Sequence, residues 1–566
     1  MVLFDPWNAD QYLRTVRRQF VYDKGNDSAD TPIPVSGKSR WAIDMSIVFQ
    51  VVKQGYAPAT SQREAVFLIP GDWDDYSFKT SFALVYFSPV AKRVELGTIK
   101  IGYCGQTAGW TRDKLPISFE DLTPEWFSLG QDVAYYRNLC DEVSEESRTK
   151  LLISLRDVVH SSVVFESAHK ERVFENSLMR SVSLSVIHGQ YQRVLQGQPV
   201  LTKFEFSYVD KGDDQFAAVA LDFVVEPNSK PLTNVHVLIG RNGVGKTTLL
   251  NHMVRAIVRD DAAATDRGAF FRRGAFLEAE PLPTDYFSSV VSVSFSAFDP
   301  FVPPPDRSDG GLGAKYFYIG MKKARHGQSE LGPQPPKTEA DLITDFVTSL
   351  KSCLALPEKR HRWRAAIVRL ESDTNFADMN LTSLLHLGSN DAVDKAASLA
   401  RRMSSGHAIV LLTLTKLVDA VEEKTLVLMD EPESHLHPPL LSAFTRALSD
   451  LLHDRNGVAI IATHSPVVVQ EVPRSCVWKL TRQQAEGRSD RPTHETFGEN
   501  VGALTREIFG LEVSKSGFHD VLQKAVDAGG TFERIFEEYD EQLGLEAQVI
   551  LRTLIAARDE AASPSK

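Results

Sequence analysis

The chain has 566 residues, 43% of them apolar and 24% charged, with a formal net charge of −11. That length allows two or three domains with real cores, and the composition is that of an ordinary globular protein. The acidic balance argues against nucleic-acid binding over the whole surface, although a local basic groove is compatible with it. Four scattered cysteines (Cys104, Cys140, Cys353 and Cys476) form no C-x-x-C pair and read as reduced thiols. No apolar run approaches membrane-span length, and the N-terminus has no signal-peptide layout, so a cytoplasmic protein without membrane contact is expected.

Residues 1–180 read as an α+β module. A helix is expected over Ala9–Phe20, then a polar surface loop over Asp23–Lys38. Strands are expected over Ala65–Ile69, Phe78–Ser88 and Arg93–Tyr103, the last two joined by a hairpin at Pro89-Val-Ala-Lys. Ile117–Leu129 reads as a connection, and Val133–Asp141 and Lys150–Val159 as helices. Trp126, Phe127, Tyr135 and Tyr136 could form a ligand platform, but aromatics beside a helix are mostly core. From Ser181 the pattern turns to strands: Val182–Val186, Leu201–Val209 and Phe216–Val225, with an acidic turn at Lys211–Asp214.

The most specific stretch follows. The apolar run Val235–Ile239 gives way to Gly240-Arg241-Asn242-Gly243-Val244-Gly245-Lys246-Thr247-Thr248 and then to apolar residues at helical spacing. Strand, G-x-x-x-x-G-K-[ST] loop and helix together form a phosphate cradle: inward backbone N–H groups plus the positive end of a helix. Lys246 would reach the β and γ phosphates of ATP, and the Thr247 hydroxyl would hold Mg²⁺. Asp260–Arg273 reads as a loop and Val290–Phe295 as a strand that ends in Ser296-Ala-Phe-Asp-Pro300. Phe301–Lys337 is rich in Pro, Gly and Ser apart from a strand-like run at Tyr316–Ile319.

Residues 339–423 read as a helical lobe. Its Lys359-Arg-His-Arg-Trp-Arg364 cluster is either a phosphate or DNA contact or a solvated helix face. Met403-Ser404-Ser405-Gly406-His407 opens the long apolar helix Ala408–Val421, and small residues there let backbone N–H groups approach a γ-phosphate. Thr425–Met429 is an apolar strand ending in Asp430 and Glu431, where Asp430 suits the Mg²⁺ shell and Glu431 the orientation or deprotonation of water. Ser434-His-Leu-His-Pro438 follows. His435 and His437 have no third ligand nearby in sequence, which weighs against a metal site. Val458–Thr463 is a strand ending at His464-Ser-Pro. The tail reads as helices, including Phe518–Ala528 and Phe532–Ile555.

These five elements in this order resemble ABC-type ATPases of the SMC/Rad50/RecF group, and most closely the OLD-like and RecF-like branch, where M-D-E-P-E-S-H-L-H-P and A-T-H-S-P recur. The resemblance covers Ser181–Leu480. It implies a P-loop α/β fold with a mixed sheet, an antiparallel β section, a helical lobe (ATPase domain 181–480) and a C-terminal helical appendix (481–566). It also implies two ATP molecules sandwiched in a homodimer or higher oligomer. Lys246, Thr247, Asp430, Glu431 and His464 would act from one protomer, and Ser404 and Gly406, in the L-S-G-G-Q position, from the other. The usual glutamine after Val290–Phe295 is absent, and Ser296 or Asp299 would have to replace it.

No heptad arm separates Lys246 from Ser404, and no acidic Toprim constellation is read in the tail. By family analogy with the Septu ATPase, the expected role is a regulator of a separately encoded HNH-type nuclease in anti-phage defence. The alternatives are a RecF-like DNA-clamping ATPase and a non-hydrolysing ATP-dependent assembly switch.

Overall fold

The structure, a computed structural model, describes residues 47–566 apart from 57, 59–63, 214–216, 259–267, 273–279, 296–300, 308–313, 324–335, 484–485, 511–516 and 563–566. The helix expected at Ala9–Phe20, the loop at Asp23–Lys38 and the Ser296–Pro300 exit therefore lie outside the described residues.

Six runs become the parallel strands of a seven-stranded sheet. In spatial order its strands are Lys315–Gly320, Ser289–Ser294, Leu426–Asp430, Val458–Thr463, Val235–Ile239, Val477–Gln483 and Glu486–Asp490, and only the last pair is antiparallel. Val235–Ile239, Leu426–Asp430 and Val458–Thr463 are buried throughout, as strands covered on both faces must be. One face packs on the helix after the phosphate loop and on a three-stranded antiparallel sheet, Val219–Val225, Phe204–Asp210 and Gly268–Arg272. The other packs on Ser405–Ala420, Pro438–Asp454 and the helices of residues 339–400. This is a P-loop fold of the ABC ATPase type. Gly268–Arg272 was expected in a loop; its Phe270 is buried against Phe206 and Tyr208, which draws the segment into the sheet.

The N-terminal body holds a six-stranded sheet with one parallel pair, Val48–Val51 with Ala65–Pro70. The expected strand Phe78–Ser88 divides into Phe78–Lys79 and Ser81–Phe87, and Arg93–Tyr103 forms as read. Trp126–Gly130, expected as connection, is instead a fully buried strand beside Arg93–Tyr103. Tyr135 and Tyr136 lie wholly inside the core with Phe127, so the aromatic cluster is packing rather than platform. The helix expected at Lys150–Val159 spans Glu145–Ser154. Val182–Val186 is not a strand: Ser183 caps a helical turn that runs through a π-helical turn to Leu195, burying Val186, Ile187 and Tyr191. Val477–Gln483 and Glu486–Asp490 complete the main sheet, so the C-terminal helices begin only at Val501, and the segment expected as one helix from Phe532 is two, Phe532–Glu538 and Leu545–Ala562.

Buried ion pairs join the two bodies. Asp132 caps helix Val133–Glu142 through one oxygen, and its other oxygen meets Arg362 at 2.9 Å and Arg455 at 3.0 Å. Burial alone would raise its pKa, but the two guanidiniums outweigh this and hold the carboxyl far below its usual range. Replacing Asp132 by Ala strands the buried Arg455 and leaves Arg362 with Asp454 at 3.8 Å, and urea unfolding should show a loss of about 3–5 kcal/mol.

Candidate functional site

The strand Val235–Ile239 delivers the chain to the loop, where Gly243 and Gly245 take φ of 81° and 95°, a region that side chains with a Cβ avoid. That turn sets Lys246 at the first position of helix Lys246–Ile257, and its Nζ donates to the Gly240 and Arg241 carbonyls at 2.9 and 3.1 Å. Burial lowers the pKa of Lys246, and Glu431, Asp430 and Glu433 oppose the shift. Thr247 and Thr248 are half-buried on the first turn, whereas Arg241 and Asn242 are exposed, and Arg241 donates to Phe509 O of the C-terminal helices.

Asp430 ends its strand, buried, and pairs in register with Ser294 of the neighbouring strand. Both line a cleft with Asn251 beside the phosphate-loop helix, and the Ser294 hydroxyl there is buried without a hydrogen-bond partner among the described residues. Glu431 has a left-handed φ of 44°, held by its N–H donating to Ala462 O at 2.8 Å. Such strain in a non-glycine residue persists only where surrounding structure enforces it. His464 is half-exposed and faces Glu433 at 3.0 Å and Glu431 at 3.8 Å. Glu433, buried, also accepts from Thr463 Oγ1 at 2.6 Å and from His464 N at 2.7 Å. Lys246, Asp430, Glu431 and His464 are thus gathered where the central strands end, with Thr247 next to Lys246 on the helix; Thr247 and Asp430 carry hard oxygen donors of the kind Mg²⁺ prefers.

Ser404 and Gly406 stand apart from this group. Ser404 is exposed and caps helix Ser405–Ala420, and neither cleft flanking the phosphate loop is lined by Ser404, Gly406 or His407. A Cβ on Gly406 would lie 2.3 Å from the His435 carbonyl, so the loop after Glu431 packs directly on the signature helix.

The chain is 44% identical over 531 residues to protein ea59 of Escherichia phage lambda, covering 90% of this chain and 99% of that protein. It belongs to the ea59 family. Residues 255–470 match the family described as "AAA domain, putative AbiEii toxin, Type IV TA system". Among solved structures, the ADP form of MJ1267, an ATP-binding cassette of an ABC transporter, is 14% identical, covering 56% of this chain and 100% of that one, with a TM-score of 0.29. UvrA2 of Deinococcus radiodurans is 14% identical, covering 54% and 40%, with a TM-score of 0.26.

Within this ea59-family chain the basic cluster at 359–364 is divided: His361 and Arg364 are exposed on the solvated face, and the other side of the helix turns inward. Lys359 is buried against Asp419 at 2.7 Å, Arg362 binds Asp132, and Trp363 is buried with its Nε1 donating to Thr415 Oγ1. Two of its cations are thus tied into interior ion pairs. Sequence reading missed Glu433, Ser294 and a second cleft, lined by Val244, Thr248, His252, Asp210, Arg482 and Arg488, that adjoins the loop. In that cleft His252 Nδ1 lies 2.8 Å from Asp210. Only Glu433 had a sequence signal, its position inside D-E-P-E. Among the described residues no helix is long and apolar enough to cross a membrane.

His236, on the strand that carries the loop, is buried edge-on against Phe223, and burial, aided by Arg491, pushes its pKa down to about 3. The unfolded chain therefore binds a proton on this side chain that the folded chain refuses, below the ordinary value of 6.5. Stability from this group is complete above that value and is lost as pH falls from it towards 3. Denaturation midpoints of the His236→Leu variant should fall less between pH 7 and pH 5 than those of the parent, roughly the His range; equal slopes would exclude His236 as the source.

Proposed function

We propose that the chain binds ATP with Mg²⁺ and hydrolyses it between two protomers. In this reading Thr247 and Asp430 hold the ion, whose charge would neutralise part of the polyphosphate. Lys246 exchanges its two backbone carbonyls for phosphate oxygens. Glu431 orients the attacking water, and His464, steadied by Glu433, meets the γ-phosphate. The cleft at Asp210, His252, Arg482 and Arg488 takes the nucleoside end.

One observation carries the reading: Asp430, the strained Glu431 and His464 converge beside a buried lysine of a phosphate loop. The exposed start of helix Ser405–Ala420, outside both flanking clefts, supports completion of each site by a second copy. Glu431→Gln should reduce turnover about 10²–10⁴-fold while ATP stays bound and the protein elutes as a dimer in light-scattering chromatography. Unchanged turnover would remove Glu431 from this role, and turnover per chain independent of protein concentration in a monodisperse monomer would remove the second copy.

The ATP cycle, in the same proposal, controls a separately encoded effector, a nuclease of HNH type, in defence against phage. Support comes from the toxin–antitoxin description of the matching family and from the resemblance to regulatory ATPases without arms. Cells carrying the chain with its neighbouring genes should resist infection, and Glu431→Gln should abolish this; resistance that persists in the variant would refute ATP control.

A further inference from the structure

Three segments far apart in sequence meet beside the signature helix. Asp373 ends the turn before helix Thr374–Met379, His407 lies on the first turn of Ser405–Ala420, and His437 caps Pro438–Asp454. One ligand atom from each lies within 4.8 Å of the others. His407 Nε2 stands 3.2 Å from Asp373 Oδ1, and His437 Nε2 stands 3.1 Å from Asp373 Oδ2. Asp373 and His407 are close to fully buried, whereas the His437 ring is about half exposed.

We propose that Asp373, His407 and His437 form a binding site for a zinc-class divalent cation, separate from the Mg²⁺ position at Thr247 and Asp430. The donor set is right for it: two imidazoles and one carboxylate are the mixture that zinc takes with a fourth position left for water. The spacing is right as well. Zinc–nitrogen and zinc–oxygen bonds of about 2.0–2.2 Å at tetrahedral angles put neighbouring ligands roughly 3.3 Å apart. Each imidazole nitrogen stands near that distance from a different oxygen of Asp373, 3.2 Å to Oδ1 and 3.1 Å to Oδ2, and the three ligand atoms lie within 4.8 Å of one another.

Asn375 Nδ2 lies 3.4 Å from His407 Nε2, while Nδ1 lies 2.6 Å from Ser404 Oγ. In one tautomer Nε2–H donates to Asp373 Oδ1 and the Ser404 hydroxyl donates to Nδ1. In the other, the one a cation at Nε2 requires, Nδ1–H donates to Ser404 Oγ. Outer hydrogen bonds of this kind fix the ring of a metal-bound histidine. Asp373 Oδ1 also accepts from Asn375 N at 2.9 Å and Phe376 N at 3.2 Å, which leaves Oδ2, on the His437 side, as the freer ligand atom. Coordination through His437 Nε2 requires Nδ1 to carry the proton, so the long 3.4 Å bond from Leu440 N must be released. A bound ion would therefore staple the signature helix to the His435–Pro438 loop and loosen the first turn of the helix behind it.

The test uses the full chain without nucleotide, stripped with chelator and dialysed against zinc, with metal content read by mass spectrometry. About one zinc per chain is expected, together with a rise in the thermal midpoint and a visible absorption band when cobalt replaces zinc. His437→Ala, at a half-exposed position, and Asp373→Asn should each lose the metal and the thermal shift, whereas His435→Ala keeps both. Ser404→Ala should weaken zinc affinity about 10–100-fold. Zinc at background in the parent chain would overturn the site. So would unchanged zinc in folded His437→Ala, or in folded Asp373→Asn if His437→Ala fails to fold.

Discussion

Parallel register places Ile239 beside Thr463, Asp430 beside Ala462, and Ser294 beside Asp430. Because these strands run the same way, all their chain exits open on one edge, and every group that can touch a phosphate is delivered there. The strands must be covered on both faces, so charge is tolerated only where a strand ends. Lys246, Glu431 and His464 are confined to that edge by the same packing that keeps Val237, Val427 and Ile461 dry.

Electrostatics at the edge follow from that confinement. Lys246 is 4% exposed, yet it is kept solvated by two loop carbonyls and faced by three carboxylates. Such a site is poised for exchange: a phosphate can replace carbonyl oxygens without stranding the ammonium, which in an empty apolar pocket would cost several kcal/mol. The carboxylates that help to hold the lysine would repel a polyanion, so a polyphosphate entering there would need a divalent cation to offset them.

Much of this edge was legible in the sequence because its signals are local. The strand before Gly240 and the strand before Asp430 are short β-branched and apolar runs, and their loops follow immediately. What failed needed longer range. Val182–Val186 alternates like a strand over five residues, but Val182, Val186, Ile187, Tyr191 and Val194 share one buried face at helical spacing over thirteen. Lys359 and Arg362 read as surface charge because their partners, Asp419 and Asp132, lie far away in the chain. His437 lacked a third ligand in sequence for the same reason: Asp373 and His407 arrive from other segments. Ser294 carried no signal, since a serine at a strand end is common.

The body before the main sheet meets the strand Leu426–Asp430 at its other end. Glu422 binds Lys315 at 2.8 Å and accepts from Ser183 N at 3.0 Å, and Glu423 pairs with Arg193, all buried or nearly so. Three to four residues later the same chain becomes Leu426–Asp430, a rigid strand whose far end positions Asp430 and Glu431. Burial would raise the pKa of Glu422, but Lys315 outweighs it and keeps the carboxylate charged. A displacement of residues 183–193 cannot be absorbed by solvent there, because it would leave a buried charge unpaired. It must either be resisted or be passed along the strand. The fold therefore supplies a stiff path from the N-terminal body to Asp430 and Glu431.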